Sequence, residues 1–575
     1  MVPDNYYIAD QFSLLSKLMD VHGENSFKSK TYSIAAYNIE RLPVQLSDVE
    51  GKELFTLKSI GDSVGKKVQE ILLDGHLHVL EDYVKKTPSG VMEMLSIKGL
   101  GPKKIATIWK EMEIESLGEL LYACHENRLA RFKGFGEKTQ RNVEEAITFY
   151  QKSLGSHLYA QVENYAHQLQ KIFSKAFPKN EFSFTGAFRR QLEVIDFIEW
   201  VTTVSVAELQ AYFEKNNYKV EEAGATNCSY RSPENLLLKF YNRPEEEFAL
   251  TLFETSCSEQ FLAVWNKLPG WKPSPIYKSE EAIFSVMKIH PIPAFQREHP
   301  DIIIRAKKEK LPEPVQPDDI TAIIHSHSTW SDGSNSIEDM AKDCIRRGLE
   351  YIVISDHSKS AFYANGLSEE RIAAQQEEID ALNKKLKPFR IFKSIECDIL
   401  NDGSLDYSPE ILKTFDLVIA SVHSNLKMTE EKAMLRLMNA IKNPFTSILG
   451  HMTGRLLLSR KGYPVDYKTV IDACAEQEVV IEVNANPRRL DMTWEWVGYA
   501  MEKGVLLSVD PDAHDVMEFD HCRHGVLVAQ KGGLTRERNL SSFSLGEFER
   551  FLERQRGKRG NKGNIEGLPH RIIGT

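Results

Sequence analysis

The pattern of apolar and polar positions changes near residue 320. From there to about residue 515, short apolar runs that each stop at a polar side chain alternate with segments of helical periodicity. This alternation of strand and helix is typical of a parallel sheet covered by helices, and here it predicts a barrel of βα units. The apolar runs are TAIIHSH, EYIVISDH, IFKSIECDIL, FDLVIASVH, FTSILGH, VVIEVNA and VLLSVDPDAH.

Residues 1–150 show a different pattern, in which helical periodicity is broken by short turns that contain glycine. Three segments, 57–71, 95–109 and 131–147, share a glycine-containing turn that leads into a helix beginning with basic residues. The first N–H groups and the positive dipole end of such a helix favour a phosphate group. The pattern indicates hairpins that grip phosphates, although a plain helical hairpin with a terminal glycine would also produce it.

These three segments resemble helix-hairpin-helix DNA-binding motifs, which contact phosphates without reading base sequence. The first segment departs from the motif, because Ser59 stands where the other two have their first glycine. The predicted DNA contacts are Lys98, Gly99, Gly101, Lys103 and Lys104 in the second segment and Lys133, Gly134, Gly136 and Lys138 in the third.

Length and composition narrow the class of protein. The 575 residues exceed what one hydrophobic core supports, so we expect roughly three to five domains. Seven cysteines without a CxxC pair argue against a disulfide framework and a zinc finger, and favour a reducing cytoplasm. No apolar run reaches membrane-spanning length, and the N-terminus lacks the features of a secretory signal. The net charge of −10 argues only weakly against nucleic acid, because only the binding face has to be basic.

Histidine and carboxylate side chains end the apolar runs of the predicted barrel. In such barrels the carboxyl ends of the strands meet at one mouth, where catalytic groups gather. One histidine there is more often a local hydrogen-bonding residue, but six of the chain's 17 histidines favour a metal site. Imidazole and carboxylate without thiolate suit Zn²⁺, Mn²⁺ or Fe²⁺. The candidate ligands are His325, His327, Asp332, His357, Glu396, His423, His451, Asp512 and His514.

The motifs HSHSTWSDG, SDHS, IECDI, VHS, HMTGR, EVNANPRRLD and DPDAH, in this order, resemble those of the PHP phosphoesterase domain over residues 321–555. The resemblance implies a distorted (βα)7 barrel that binds three divalent metal ions. It also implies three ligand sets: His325, His327, Glu396 and Asp512; Glu396, His423 and His451; and Asp332, His357 and His514.

The same resemblance implies phosphodiester hydrolysis by metal-activated water. Glu396 and His423 are the predicted catalytic residues within the ligand set. Arg455, and with it Arg488 or Arg489, is expected to take up negative charge that develops on the phosphate.

The region before the barrel resembles family X DNA polymerases, first at residues 23–43 and then in the nucleotidyltransferase palm at 184–201 (FTGAFRRQLEVIDFIEWV). Against the family pattern of Gly-Ser-x-Arg-Arg, a glutamate and Asp-x-Asp, the matching residues are Gly186, Arg189, Arg190 and Glu193. The departures are Ala187 at the serine and Phe197, Glu199 and Leu237 at the three aspartate positions.

A palm of this kind needs its carboxylates on one strand face, where side chains two residues apart lie together and hold Mg²⁺. Only Glu199 remains, so the resemblance implies a palm that has lost polymerase activity. Arg189 and Arg190 are expected to touch a phosphate or to pair with Glu193. Lys67, near Lys58 and Lys66, stands at the family's lyase position, but a solvated helix face explains it as well.

The resemblances together imply a multidomain bacterial family X polymerase with a fused PHP exonuclease. We therefore expect a helical hairpin region, an α+β palm and thumb, and a (βα)7 barrel. The predicted domains are 1–85 (lyase-like), 86–150 (helix-hairpin-helix), 151–245 (palm), 246–305 (thumb-like), 306–320 (linker), 321–555 (PHP) and 556–575 (disordered basic tail).

The implied function is metal-dependent 3′→5′ exonuclease action on gapped or 3′-ended DNA by a monomer. Two alternatives stay open. One is an active gap-filling polymerase with proofreading, and the other is a small-molecule phosphatase of the histidinol-phosphatase type.

Overall fold

The computed structural model describes residues 5–40, 44–49, 53–57, 60–97, 99–152, 155–233, 235–273 and 276–562, with Pro3, Leu42 and Gly51. The chain forms two compact units, residues 1–150 and 151–575. Lys58, Ser59 and Lys98 lie outside the described residues. Among the helices of the described part, none has both the length and the apolar character needed to cross a bilayer.

The first unit is helical, as the periodicity predicts. Its helix pair α1 and α2 packs around Phe12, Leu15 and Ile39, and a second core contains Ile105 and Leu120. The helices are α1 (Asn5–His22), α2 (Ser26–Glu40), α3 (Asp62–Asp74), α4 (His78–Lys86), α5 (Ser89–Met94), α6 (Pro102–Lys110), α7 (Leu117–His125), α8 (Arg128–Arg131) and α9 (Glu137–Lys152).

Two glycine turns precede helices in this unit. Gly99 (φ +94°) and Gly134 (φ +92°) adopt the left-handed backbone conformation, which glycine reaches without strain. Helix α6 begins directly after Gly101, and α9 begins directly after Gly136. The predicted order of glycine turn followed by helix is therefore confirmed in the second and third segments.

The middle of the chain, residues 157–308, contains a five-stranded mixed sheet within the described residues, in the order β2-β4-β7-β6-β5. Its core is aromatic, with Trp200 stacked on Phe240 at a centroid distance of 5.2 Å. The strands are β1 (His157–Leu158), β2 (Phe182–Thr185), β3 (Val194–Ile195), β4 (Phe197–Thr202), β5 (Lys219–Ala223), β6 (Asn227–Arg231) and β7 (Leu237–Asn242). The helices are α10 (Tyr159–Ala176), α11 (Gly186–Arg189), α12 (Val206–Lys215), α13 (Glu245–Thr255), α14 (Glu259–Trp265), α15 (Glu280–Val286) and α16 (Asp301–Lys308).

Residues 322–562 contain the predicted parallel barrel. Seven strands of the described chain pair in sequence order, and a bridge between Ser326 and Ala513 brings the first strand next to the last. The strands are β8 (Ala322–Ile323), β9 (Tyr351–Ile354), β10 (Arg390–Asp398), β11 (Leu417–Ser421), β12 (Ile448–Leu449), β13 (Val480–Asn484) and β14 (Leu507–Asp510). The helices are α17 (Ile337–Arg346), α18 (Glu369–Lys385), α19 (Pro409–Leu412), α20 (Glu430–Lys442), α21 (Tyr467–Gln477), α22 (Trp494–Glu502), α23 (Cys522–Lys531) and α24 (Leu545–Lys562).

Helix α24 covers the end of the barrel where the strands begin. Its buried Phe548 and Phe551 share one core cluster with Ala322, Tyr351 and Leu417, which are the first residues of their strands. This end is therefore closed by apolar packing, and polar chemistry is left to the opposite end, where the strands finish.

The prediction of a disordered tail from residue 556 is wrong for residues 556–562, because α24 continues to Lys562. Arg556 pairs with Asp416 at 2.7 Å, and Arg559 donates a hydrogen bond to the Phe415 carbonyl at 2.9 Å. The buried apolar side chains of α24 pack this helix on the barrel, so its basic residues lie next to hydrogen-bond acceptors there. Residues 563–575 lie outside the described part.

The predicted linker, residues 306–320, packs in part on the barrel. Helix α16 extends to Lys308, and Val315 is fully buried in the barrel core. The Val315 N–H donates to the Leu534 carbonyl at 2.7 Å, and the Gln530 amide donates to the Val315 carbonyl at 2.9 Å. The barrel therefore holds the chain that leads into it.

Candidate metal centre

The strand ends of the barrel bring the predicted histidines and carboxylates into one buried cluster. His325 and His327 follow β8, His357 follows β9, and Glu396 lies within β10. His423, His451 and the pair Asp512 and His514 follow β11, β12 and β14 in the same way. Parallel strands end at one edge, so residues far apart in sequence meet there.

Two of these residues adopt an unusual backbone conformation. His325 has φ +60° and Asp512 has φ +51°, in the left-handed region that costs a residue with a side chain about 1–3 kcal/mol. Both lie beside the Ser326–Ala513 bridge, where the His327 N–H donates to the Ala513 carbonyl at 2.8 Å. The closure of the barrel thus holds both side chains in place.

Glu396 lies at the centre of the cluster and is 1% exposed. Its two carboxylate oxygens are within 4 Å of nitrogen atoms from five imidazoles. Oε1 lies 3.3 Å from His325 Nε2, 3.0 Å from His423 Nε2 and 2.9 Å from His451 Nε2, and Oε2 lies 2.9 Å from His357 Nδ1 and 3.7 Å from His327 Nε2.

Asp512 and Asp332 lie on either side of His327. Asp512 Oδ1 is 3.1 Å from His327 Nε2 and 3.4 Å from His325 Nε2. Asp332 Oδ1 is 3.9 Å from His327 Nδ1 and 3.5 Å from His514 Nε2, and Asp332 Oδ2 is 3.5 Å from His357 Nε2. The structure therefore brings all nine candidate ligands together.

The donor chemistry of the cluster fits divalent metal ions. In three groups, one donor atom of each residue lies within 4.8 Å of every other: His327, Asp332, His357 and His514; His325, His327 and Asp512; and His357, Glu396 and His423. Within the described residues, the buried His327 Nδ1 and Asp332 Oδ2 have no hydrogen-bond partner. Buried polar atoms without a partner are costly, and a cation would satisfy both.

Electrostatics gives two of the candidate ligands, Glu396 and His327, the protonation states that bind a metal ion. Burial alone would raise the pKa of Glu396, but His423, His325 and His357 lower it well below the usual value. Burial lowers the pKa of His327 to about 3, with further lowering by His357 and His514. At neutral pH the carboxylate is thus charged and the His327 imidazole is neutral, which are the forms that bind a metal ion. Against the lowering effect of burial, the neighbouring carboxylates raise the pKa of His325, His357 and His423, so these imidazoles must lose a proton to become ligands.

Other polar residues orient the candidate ligands, and the sequence analysis missed them. Glu482 Oε2 lies 2.7 Å from His325 Nδ1, and Asp398 Oδ1 lies 2.5 Å from His423 Nδ1. Each carboxylate leaves the Nε2 atom of its histidine facing Glu396. Strand alternation could have identified Asp398, because it lies two residues after Glu396 on β10 and therefore on the same face.

We expect Glu482→Gln to lower metal affinity and phosphoesterase activity by about 10–100-fold, the usual cost of losing a carboxylate that orients a metal-binding histidine. Titration of the metal-free protein with Mn²⁺ measures the affinity. Glu476→Gln, on the exposed side of α21, is the control and should change neither quantity. Equal affinities for both variants would contradict the orienting role.

The guanidinium of Arg455 contacts the palm and a neighbouring loop of the barrel. Its Nη2 donates to Glu193 Oε1 at 2.7 Å, its Nε donates to the Arg489 carbonyl at 2.9 Å, and it also bonds the Leu490 carbonyl. These contacts engage Nε and Nη2 of the guanidinium, and the role of Arg455 in taking up charge on phosphate stays a prediction. Arg489 lies nearer the cluster, with Nε 3.6 Å from Asp512 Oδ2.

Of the three positions of the palm where the family has aspartates, only Glu199 carries a carboxylate, as predicted. Phe197 pairs with Leu237, and Glu199 pairs with Lys239, so these four side chains share one face of β4 and β7. Glu199 accepts a hydrogen bond from Tyr241 at 2.8 Å, and the Lys239 ammonium lies 3.2 Å from the centroid of the Phe197 ring. A lysine therefore occupies the face where polymerases of the family hold cations.

The glycine and the two arginines of the palm that match the family pattern have structural partners. Gly186 (φ +61°) gives room to Glu199, whose Oε2 would lie 1.5 Å from a Cβ at that position. The expectation that Arg189 and Arg190 pair with Glu193 is wrong, because Arg189 pairs with Glu280 and Arg190 with Glu298. Ala187 contributes its N–H to Glu199 at 3.4 Å.

In the first unit, the described lysines of the two glycine turns face solvent. Lys103, Lys133 and Lys138 are exposed, and Lys104 is partly covered by the Phe135 ring at 5.7 Å. Within the described residues none of the four is in an ion pair, so their charge is available to a phosphate.

Two family models match the chain, one in each half, and the predicted helix-hairpin-helix region at 86–150 lies outside the first of them. Residues 3–77 match the helix-hairpin-helix domain family, and residues 324–486 match the PHP domain family. Barrel relatives include a "Probable phosphatase" of Caldanaerobacter subterraneus subsp. tengcongensis, 26% identical over 42% of this chain and 94% of that protein. A "Probable phosphatase" of Thermoanaerobacter pseudethanolicus is likewise 26% identical over 41% of this chain and 96% of its own length.

One relative extends over both halves. The "DNA polymerase/3'-5' exonuclease PolX" of Bacillus subtilis (strain 168) is 31% identical over 556 residues, 93% of this chain and 97% of that protein. A match over 93% of the chain extends into the helical first unit, the palm and the barrel. The chain therefore belongs to the PolX family, the bacterial family X DNA polymerases that carry a C-terminal PHP domain.

Proposed function

We propose that the barrel is a metal-dependent 3′→5′ exonuclease acting on DNA and that the palm no longer polymerises. The observation that carries the proposal is the buried cluster of nine nitrogen and oxygen donors at the barrel mouth, whose central Glu396 lies within 4 Å of five imidazoles. The relative from Bacillus subtilis, named for polymerase and 3′-5′ exonuclease activity, supports a DNA 3′ end as the substrate.

Three divalent ions, of Zn²⁺, Mn²⁺ or Fe²⁺, fit the donors by the family's pattern. His325, His327, Glu396 and Asp512 would hold one ion, Glu396, His423 and His451 the second, and Asp332, His357 and His514 the third. When bound, such ions lower the pKa of water towards neutrality and stabilise charge on a phosphate. Glu396 and His423 are the proposed catalytic residues of the chain. Glu396 belongs to the first two sets and His423 to the second, where Asp398 keeps the His423 ring oriented.

In this proposal the helical hairpins of the first unit bind the DNA backbone. The lysines and glycines around Gly99 and Gly134 would hold phosphates without reading sequence, which suits gapped or 3′-ended DNA of any sequence. All the metal-binding donors come from one chain, so we propose that a monomer is active.

Digestion of 3′-labelled gapped and single-stranded DNA in Mn²⁺, by wild type and His325→Ala, tests the proposal. We expect the substitution to reduce cleavage more than about 100-fold, since even the outer partners of metal ligands cost up to that much. Cleavage that survives His325→Ala would contradict the assignment of activity to the barrel.

A second candidate is hydrolysis of a small phosphate monoester, which the two phosphatase relatives of the barrel favour. A chromogenic monoester offered to the same two proteins separates the candidates. Turnover of the monoester with no cleavage of DNA would replace the exonuclease by a phosphatase.

A further inference from the structure

Buried polar contacts join the palm to the barrel within the second unit. At one end of α23, Arg523 pairs with Glu163, and His524 Nε2 lies 3.4 Å from the same carboxylate. At the other end, the Lys531 ammonium donates to the Arg190 carbonyl at 2.7 Å and to Glu298 at 3.1 Å. The palm is thus fixed on the barrel over the length of this helix.

A third contact lies closest to the metal centre. Glu193, in the altered palm motif, pairs with Arg455 at 2.7 Å, and the two side chains are only 15% and 13% exposed. Burial raises the pKa of Glu193, against the lowering effect of Arg455. Removing one partner of a buried ion pair leaves the other charge uncompensated. The position of Arg455 therefore depends on Glu193, which belongs to the palm.

Arg455 in turn fixes two loops of the barrel mouth. It follows the turn in which the Gly454 N–H donates to the His451 carbonyl at 2.9 Å. Its guanidinium donates to the carbonyls of Arg489 and Leu490 on the next loop. The turn that carries His451 is thereby tied to the loop after β13.

The loop after β13 also contacts Asp512, another candidate ligand. Arg489 Nε lies 3.6 Å from Asp512 Oδ2, and Asn484 Nδ2 donates to the same oxygen at 3.1 Å. The Asn484 N–H also donates to the Asp491 carbonyl at 2.6 Å, which fixes the loop at its base. A continuous set of contacts therefore runs from Glu193 through Arg455 to His451 and Asp512.

We propose that Glu193 is a positioning residue for the metal centre, through which the palm sets the geometry of His451 and Asp512. The palm thereby keeps a role in phosphodiester hydrolysis after losing its own carboxylates. This inference rests on the proposed exonuclease function for its activity readout, and its metal-affinity readout is independent of the substrate.

The test compares Glu193→Gln with Glu163→Gln, a matched buried carboxylate at the same interface whose partners Arg523 and His524 lie on α23 and not on the loops after β12 and β13. Both variants, in the full chain, are expected to lower the Tm. Only Glu193→Gln should weaken Mn²⁺ binding to the metal-free protein and lower kcat on 3′-labelled single-stranded DNA, each by about 10–100-fold. KM should stay unchanged, because the hairpins hold the DNA.

Equal effects of the two variants on Mn²⁺ affinity would overturn the proposal, and so would unchanged affinity in Glu193→Gln. If Glu193→Gln fails to fold, Arg455→Lys takes its place. Lysine keeps a charge for Glu193 but loses the forked donors to Arg489 and Leu490, so the same loss of affinity and kcat is expected. Wild-type protein that binds Mn²⁺ but cleaves no DNA would count against the exonuclease function and leave the affinity comparison intact.

Discussion

A chain with Glu396→Ala is expected to lose its bound metal and its DNA cleavage, the cleavage by at least about 1000-fold. Glu396 is the one carboxylate within 4 Å of five imidazoles among the described residues, and it belongs to two of the proposed ligand sets. Losing one outer partner of a metal ligand costs up to about 100-fold, so losing a ligand that two ions share should cost more.

The measurement is metal content by mass spectrometry after dialysis, together with digestion of 3′-labelled DNA. Glu396→Gln is the sharper variant, because it keeps the volume of the side chain and removes only the charge. Glu476→Ala on the exposed face of α21 is the control and should keep both metal and activity. Full metal content in Glu396→Gln would mean that the histidines, Asp332 and Asp512 hold the ions without the Glu396 charge.

The metal cluster is the part of the site that the sequence predicts well, and the reason is geometric. A donor at the end of a buried strand must lie at the barrel mouth, so the strand period locates His325, Glu396 and Asp512 without knowledge of contacts. Asp398 follows from the same rule once Glu396 is placed. The course of the backbone determines where these side chains lie, and the spacing of apolar residues in the sequence predicts that course.

The partners of the long charged side chains could not be predicted in this way. Arg455 and Glu193 are 262 residues apart, and their pairing depends on how the palm packs on the barrel. Arg189 and Arg190 likewise find Glu280 and Glu298 rather than the glutamate nearest in sequence. The apolar side of α24, together with Asp416, explains why a basic, glycine-containing segment is helical up to Lys562.

Primer extension on a gapped duplex is expected to show no templated nucleotide addition by this chain. Two Mg²⁺ ions need several carboxylates on one strand face, and Phe197 and Leu237 leave only Glu199 there. That carboxylate already accepts a hydrogen bond from Tyr241, and the Lys239 ammonium lies on the same face, over the Phe197 ring. The nearby positive charge disfavours a divalent cation, so the remaining glutamate does not restore the site.

The assay needs the His325→Ala background, because an active exonuclease would remove added nucleotides and imitate an inactive polymerase. A catalytically intact family X polymerase on the same template is the positive control. Labelled product that disappears in the His325→Ala, Glu199→Gln double variant would show that one carboxylate suffices and that the palm still polymerises. Product that persists in the double variant would come from outside the palm, because no other acidic residue occupies the three carboxylate positions of β4 and β7.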